Sequence, residues 1–298
     1  MHEVHWGLLV AAYLFLAGAG AGALFISGCL VLSNKVQVPH HLNTAKISAI
    51  VGTLLLMLGT GMIVFDLTTF QYGIANVDVV KFFRFYRLFM TIEPSSMMSI
   101  GTWLLTLAII FSSLFCLSFR AKADQPGYSR PFAAINVIFA VCIASYTALL
   151  IGDINHNLVW SNSILVVIFL LSALSCGAAV VLIIKTRLKI VDVNHTFAKS
   201  DSALLALEVL TVCVFAYSIY SISIFNGMDN LLSFSSTAGA IWWIGAILIG
   251  LIMPLLLNFT SIISKTSVSH SKEYLLAVLI LMGAFCLRYS VLLAGQYY

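Results

Sequence analysis

Charged residues are scarce in this sequence. Asp, Glu, Lys and Arg make up only 9% of its 298 residues, whereas hydrophobic residues make up 61%. A water-soluble domain carries about a quarter charged residues, so this composition excludes a soluble domain and predicts a membrane protein. The formal net charge is only +4 and no basic face is apparent, which leaves no basis for nucleic-acid binding.

Residue patterns that bind metals and haem are also missing. CxxC spacing holds zinc, iron-sulfur clusters and c-type haem, and bis-histidine haem needs histidines in the middle of membrane spans. The cysteines lie singly in apolar segments, and the histidines fall in loops or at span ends: Cys29, Cys116, Cys142, Cys176, Cys213, Cys286, His2, His5, His40, His41, His156, His195 and His270. We therefore expect no metal site, haem or iron-sulfur cluster in this chain. Any redox cofactor is then small, apolar and diffusible, or belongs to another protein.

A nucleotide-binding loop is likewise absent. Gly18, Gly20 and Gly22 form a Gly-x-Gly-x-Gly pattern, but no strand precedes it and no helix begins there. The spacing of Gly18 and Gly22 instead predicts close packing of this segment against neighbouring helices.

Eight apolar stretches are long enough to cross a membrane. A span needs about 20 mostly apolar residues, and the stretches are 6–32, 47–67, 97–119, 132–152, 163–184, 202–224, 240–260 and 274–295. The first lacks the basic segment and cleavage site of a signal peptide, so we expect it to be a span. The sequence predicts an all-α integral membrane protein with eight transmembrane helices.

The Lys and Arg residues of the loops indicate the orientation, because basic loops stay in the cytoplasm. The loops after odd-numbered spans hold eleven, and the others hold three. The eleven are Lys35, Lys46, Arg120, Lys122, Arg130, Lys185, Arg187, Lys189, Lys199, Lys265 and Lys272, and the three are Lys81, Arg84 and Arg87. Both termini are therefore predicted outside, which in a bacterium is the periplasm.

The longest outer loop, 68–96, contains a distinctive segment. From Asp78 to Arg87 it alternates basic and aromatic residues at helical spacing, which predicts a helix in the membrane interface. Such a helix either faces lipid or forms a surface on which a partner docks.

Three charged residues fall within or at the ends of spans, where burial of charge is costly and each is a candidate functional residue. Asp66 ends the second span on the outer side, where it is either an end-cap or functional. Arg288, in the outer half of the last span, either makes an internal ion pair, extends to the interface or contacts a ligand. Glu208 lies about two turns into the sixth span from the inner side, where it either hydrogen-bonds a neighbouring helix while protonated or carries protons.

Two tyrosines are further candidates. Tyr13 and Tyr146 fall in the outer halves of spans one and four, where a phenol presents a hydroxyl in an apolar wall or merely anchors the interface. His156 follows the fourth span with Asp153 and Asn155; it is either solvated or able to donate to a bound carbonyl.

Several segments together resemble the NrfD-like membrane subunits, the family that includes the membrane anchor of polysulfide reductase. In chain order they are Trp6 with Tyr13 to Gly22, Asp66-Leu67, Glu93 to Trp103, Tyr146 to Leu150 leading towards Trp160, Glu208, Trp242 to Gly245 with Pro254, and Gly283 to Tyr289 with Gly295-Gln296. They cover nearly the whole chain.

The resemblance implies two four-helix bundles, 1–152 and 153–298, in the bacterial inner membrane. It implies a quinone site on the periplasmic side of the first bundle, with Tyr146 and Asp66 at the family's tyrosine and acid. Some relatives have Asn and His in the first turns of span one, where this chain has Val10 and Tyr13; we expect Tyr13 to replace the histidine. The implied partners are a ferredoxin-like subunit with four iron-sulfur clusters and a molybdopterin enzyme or multihaem cytochrome c.

The expected function is oxidation of menaquinol, or of ubiquinol, with electrons passing to the iron-sulfur subunit. Tyr146, Asp66 and His156 are the predicted catalytic residues, and Tyr13 and Arg288 join Tyr146 and Asp66 in contact with the quinone. Glu208 is predicted to lie on a proton path. Two alternatives remain: a passive membrane anchor, and an ion- or proton-translocating subunit like a transporter.

Overall fold

The computed structural model describes residues 7–33, 39–69, 89, 93, 95–121, 129–153, 159–189, 196–226, 231–264 and 270–296. Within these ranges the regular structure is entirely helical, and no strand is present. The predicted interfacial segment from Asp78 to Arg87 lies outside the described residues.

The eight predicted spans are confirmed as eight helices long and apolar enough to cross a membrane. Their bounds are α1 Leu8–Leu32, α2 Pro39–Thr69, α3 Met97–Ala121, α4 Arg130–Gly152, α5 Ile164–Arg187, α6 Thr196–Asn226 and α8 His270–Gln296. The seventh, α7, joins Thr237–Ala240, a π-helical stretch Ile241–Ile252 and Met253–Ser264. The helices α2 and α6 begin several residues before their predicted starts, because a helix continues through polar residues beyond the hydrocarbon core.

The helix α1 lies at the centre of the fold and packs against α2, α4, α5 and α8. Its small residues permit these approaches on several faces. A Cβ at Gly20 would lie 2.7 Å from the backbone oxygen of Gly52 in α2, and a Cβ at Gly22 would overlap the backbone of Ala173 in α5. The predicted packing role of the glycines is therefore confirmed.

The peripheral helices α3, α6 and α7 expose large apolar side chains, among them Leu117, Leu210 and Phe259. Such a surface suits lipid, which satisfies apolar side chains as a protein core does. The boundary at 152/153 and the periplasmic termini stay predictions; α1 itself contacts α5 and α8 across that boundary.

The start of α1 and the end of α8 lie on one side of the helix assembly, called here the terminal face, because Tyr13 in α1 interacts with Tyr146 near the end of α4 and Trp160, which follows α4, contacts the last turn of α8. The connection between α4 and α5 lies on this face too. Its Trp160 donates Nε1–H to the carbonyl of Val291 at 2.8 Å, and its indole covers Gly295 in the last turn of α8. This contact ties the middle of the chain to its last helix.

We expect Gly295→Ala to lower the free energy of unfolding by about 1–3 kcal/mol, since the new methyl group would overlap the Trp160 indole and overpacking costs that much. The matched control is Gly61→Ala in α2, where an added Cβ meets nothing within 4 Å. Thermal unfolding in detergent micelles compares the two. Equal stability of both variants would contradict the contact.

Candidate functional site

Tyr146 is held against the start of α3. Its side chain is only 5% exposed, and its hydroxyl donates to the carbonyl oxygen of Met97 at 3.2 Å. Gly101, one turn later, makes room for the phenol, because a Cβ there would overlap the hydroxyl and the ring. The geometry therefore sets the position of the Tyr146 hydroxyl through backbone atoms of α3.

Tyr13 is completely buried in α1. Its hydroxyl has no hydrogen-bond partner within the described ranges, although a buried hydroxyl without a partner costs free energy. It lies close enough to Tyr146 for the two phenols to interact electrostatically. The α2 helix packs against the backbone of α1 at Tyr13, because a Cβ at Gly59 would lie 3.3 Å from the carbonyl oxygen of Tyr13. The structure thus places the two predicted tyrosines within range of electrostatic interaction, and the Tyr13 hydroxyl has its hydrogen-bonding capacity unused among the described residues.

The structure shows less about the other residues predicted for this site. Asp66 is half-buried near the end of α2, and no hydrogen bond joins it to another described residue. His156 lies outside the described residues. Trp103, which the sequence analysis used only for the family resemblance, has a buried indole N–H with no partner in the part of the protein described. An unpaired indole donor is not visible in a residue pattern.

Arg288 lies elsewhere, in the contact between α1, α5 and α8. Its side chain is fully buried, and Nη1 donates to Ser172 Oγ and to the carbonyl of Ala284, both at 3.0 Å. Its guanidinium lies 5.2 Å from the centre of the Phe169 ring. A Cβ at Gly18 would come within 2.6 Å of Nη2, so the glycine of α1 is needed to accommodate the arginine.

Glu208 lies close enough to Arg288 for the two side chains to interact electrostatically. The carboxylate accepts a hydrogen bond from Ser175 Oγ at 2.7 Å. Ser172, which accepts a hydrogen bond from Arg288, lies near the same carboxylate. We call Arg288, Ser172, Ser175 and Glu208 the Arg288 network. It joins two residues that the sequence analysis assigned to different roles.

A cavity of about 10 Å³ lies beside Glu208, enough for about one water molecule. Ser175, Gly250 of α7 and Gly283 of α8 contribute to its walls. The α7 and α8 backbones touch at these two glycines, since a Cβ on either would overlap the other.

A second buried acid, Asp201, escaped the sequence analysis. Its Oδ2 accepts a hydrogen bond from Asn258 Nδ2 at 2.6 Å, linking α6 to α7, and both side chains are 3% exposed. The predicted span starts near residue 202 and therefore left Asp201 just outside it, whereas the helix α6 begins at Thr196. The signal that could have found it is the seven-residue spacing to Glu208, which puts both acids on one helix face.

Metal ligation has no visible basis: in the ranges described, no three His, Cys, Asp or Glu side chains are grouped closely enough to hold an ion. The fold and these contacts define a polytopic α-helical membrane protein. It has two buried phenols near the terminal face and a buried charge network between its helices.

The chain belongs to the family described as polysulphide reductase, NrfD, whose match covers residues 1–298. It is 23% identical to the Protein NrfD homolog of Haemophilus influenzae, over 98% of this sequence and 94% of the relative. Identity to the C subunit of polysulfide reductase from Wolinella succinogenes is 24%, over 99% of this sequence and 95% of that protein. Protein NrfD of Escherichia coli is 26% identical, over 98% and 95%. The family resemblance predicted from the sequence is confirmed.

Proposed function

We propose that this protein is the quinol-oxidising membrane subunit of a respiratory complex. The observation that carries the proposal is the pair of buried phenols, Tyr13 and Tyr146, near the terminal face. The Tyr13 hydroxyl has no partner among the described residues. A quinol is an apolar ring with two hydroxyl groups, so it requires apolar walls and a small number of hydrogen-bonding groups. Membership of the polysulphide reductase, NrfD family supports this choice of substrate.

In this proposal the substrate enters from the bilayer among α1 to α4, and menaquinol is favoured over ubiquinol. Tyr13 hydrogen-bonds one ring oxygen, and Tyr146, oriented by Met97, contacts the substrate from α4. Oxidation releases two protons and two electrons. Asp66 accepts a proton because it is half-buried near the end of α2, from which water can be reached, and His156 is a second acceptor. The role of Arg288 in quinone binding stays a prediction.

The electrons leave one at a time to an iron-sulfur partner. We propose a ferredoxin-like subunit with four clusters, which passes them to a molybdopterin enzyme or a multihaem cytochrome c. One relative is by name a lettered subunit of polysulfide reductase, which supports membership of a multi-subunit complex. The complex lies in the bacterial inner membrane, with both termini in the periplasm and the quinol site on that side.

The proposal is tested by reducing the co-purified iron-sulfur partner with a menaquinol analogue. We expect Asp66→Asn to slow cluster reduction by about 10²-fold, as loss of a proton acceptor does. We expect Tyr146→Phe to slow it by about 10²-fold as well, because removing one partner of a buried hydrogen bond costs up to about 3 kcal/mol. Complex assembly is checked in both, with Gly61→Ala as the control. Wild-type rates in assembled variants would contradict the site and favour a passive anchor.

A second function is favoured by the Arg288 network. We propose that Glu208 lies on a proton path through the second half of the chain. Its side chain is 2% exposed, accepts a hydrogen bond from the Ser175 hydroxyl, and lies next to space for about one water molecule. Hydroxyls and water are groups that pass protons to and from a carboxylate.

A further inference from the structure

Asp201 is a buried acid that the proposed quinol oxidation does not use. One oxygen accepts from Asn258, whereas Oδ1 has no partner within the part of the protein that the structure describes. Burial of a charged carboxylate with an unpaired oxygen is costly. The group is stable there when it carries a proton, and it is then poised to release that proton to a better acceptor.

Asp201 lies where α6 changes from exposed to buried residues. Lys199 and Ser200, directly before it, are exposed, whereas Asp201 is 3% exposed. The start of α6 lies on the face opposite to the terminal face. Among the side chains of α6 that the structure describes, Asp201 is therefore the first buried one on that side.

Glu208 lies two turns deeper on the same face of α6. Seven residues correspond to about 10.5 Å along the helix axis, and the two acids interact electrostatically. This distance is too long for a direct hydrogen bond, and hydrogen bonds of about 2.8 Å would need about three water molecules to cover it. The cavity beside Glu208 has room for about one of them.

We propose that Asp201, positioned by Asn258, is the site where protons from the aqueous phase opposite to the terminal face are loaded onto Glu208. The step is a simple proton transfer. The Asp201 carboxylic acid gives its proton through water to the Glu208 carboxylate, and the resulting Asp201 carboxylate takes a new proton from that aqueous phase. The inference rests on the proposed proton path and names its first residue.

The chemistry of the site favours a proton over a metal cation. Asn258 turns an N–H donor towards the carboxylate, which a cation would repel. Hard cations need six or more oxygen ligands, and no group of three acidic, His or Cys side chains occurs among the described residues.

The test uses the complex with its iron-sulfur partner in proteoliposomes, with a pH dye on the side opposite to the terminal face. We expect Asp201→Asn to lower proton uptake by about 10²-fold, as removal of a proton-transfer group does, while quinol-driven cluster reduction in detergent keeps its wild-type rate. Asp201→Glu should restore much of the uptake. The control is Glu273→Gln, an acid at the start of α8 on the same face, bonded to Thr186 at 2.7 Å.

Infrared spectroscopy supplies a readout that does not need turnover. The protonated Asp201 should show a carboxylic-acid C=O band that shifts when water is replaced by D₂O and is absent in Asp201→Asn. A missing band, unchanged proton uptake in Asp201→Asn, or an equal loss of uptake and cluster reduction would each overturn the inference. If wild type reduces the clusters without taking up protons, the inference fails and quinol oxidation stands. If wild type reduces no clusters, quinol oxidation fails, and the infrared band still decides the inference.

Discussion

Replacing Arg288 by methionine is expected to lower the free energy of unfolding by about 3–5 kcal/mol, because removing one of two interacting buried charges leaves the other uncompensated. Arg288 is fully buried, donates to Ser172 and interacts electrostatically with Glu208. Methionine fills a similar volume without the charge. The measurement is reversible unfolding in mixed micelles.

The double variant Arg288→Met/Glu208→Gln separates charge from packing. We expect it to be more stable than Arg288→Met alone, since no buried charge is left without its partner. Arg130→Met, which removes an exposed arginine, should change stability by no more than about 0.5 kcal/mol. If the changes in free energy of unfolding caused by Arg288→Met and by Glu208→Gln add up to the change in the double variant, Arg288 and Glu208 are not coupled.

Gly101→Ala is expected to slow quinol-driven cluster reduction by about 10²-fold although it removes no chemical group. The added methyl group would overlap the Tyr146 phenol and move its hydroxyl away from the carbonyl of Met97. Displacement of a catalytic group by about 1 Å costs a rate factor of this size. The measurement is single-turnover reduction of the iron-sulfur partner by a menaquinol analogue.

Gly61→Ala is again the matched control, because it adds the same methyl group to open space. We expect the double variant Gly101→Ala/Tyr146→Phe to be no slower than Gly101→Ala, since both changes act on one hydroxyl. A wild-type rate in Gly101→Ala would show that the position of Tyr146 does not matter. A rate loss with loss of complex assembly would assign Gly101 to folding alone.

Much of the fold could be predicted from the apolar runs of the sequence. Apolar runs of sufficient length predict spans whatever their neighbours are, because the bilayer sets the length. The glycines of α1 were predictable as packing residues because their spacing can be read directly from the sequence. The start of α6 was not, because a helix extends past the hydrocarbon core by turns that hydropathy does not register, and Asp201 was missed with it.

The candidate site was predictable only in part. Tyr13 and Tyr146 were chosen by depth and by resemblance, and the structure brings them together. Arg288 was grouped with them by depth as well, yet depth does not tell which face of α8 carries a residue inward. The acceptor for Tyr146 is the carbonyl of Met97, and backbone acceptors look alike at every position of a sequence.

By itself, the sequence determined that this protein spans a membrane eight times and which family it resembles, since both depend on runs and short motifs along the polypeptide. Only the tertiary structure decided that Arg288 donates to Ser172 and Ser175 to Glu208, that Asn258 donates to Asp201, and that the Tyr13 hydroxyl lacks a hydrogen-bond partner among the described residues. Each of these depends on how two or more helices are rotated and packed against one another. That arrangement follows from the close approach of small residues on several faces of α1, a property of the assembled helices.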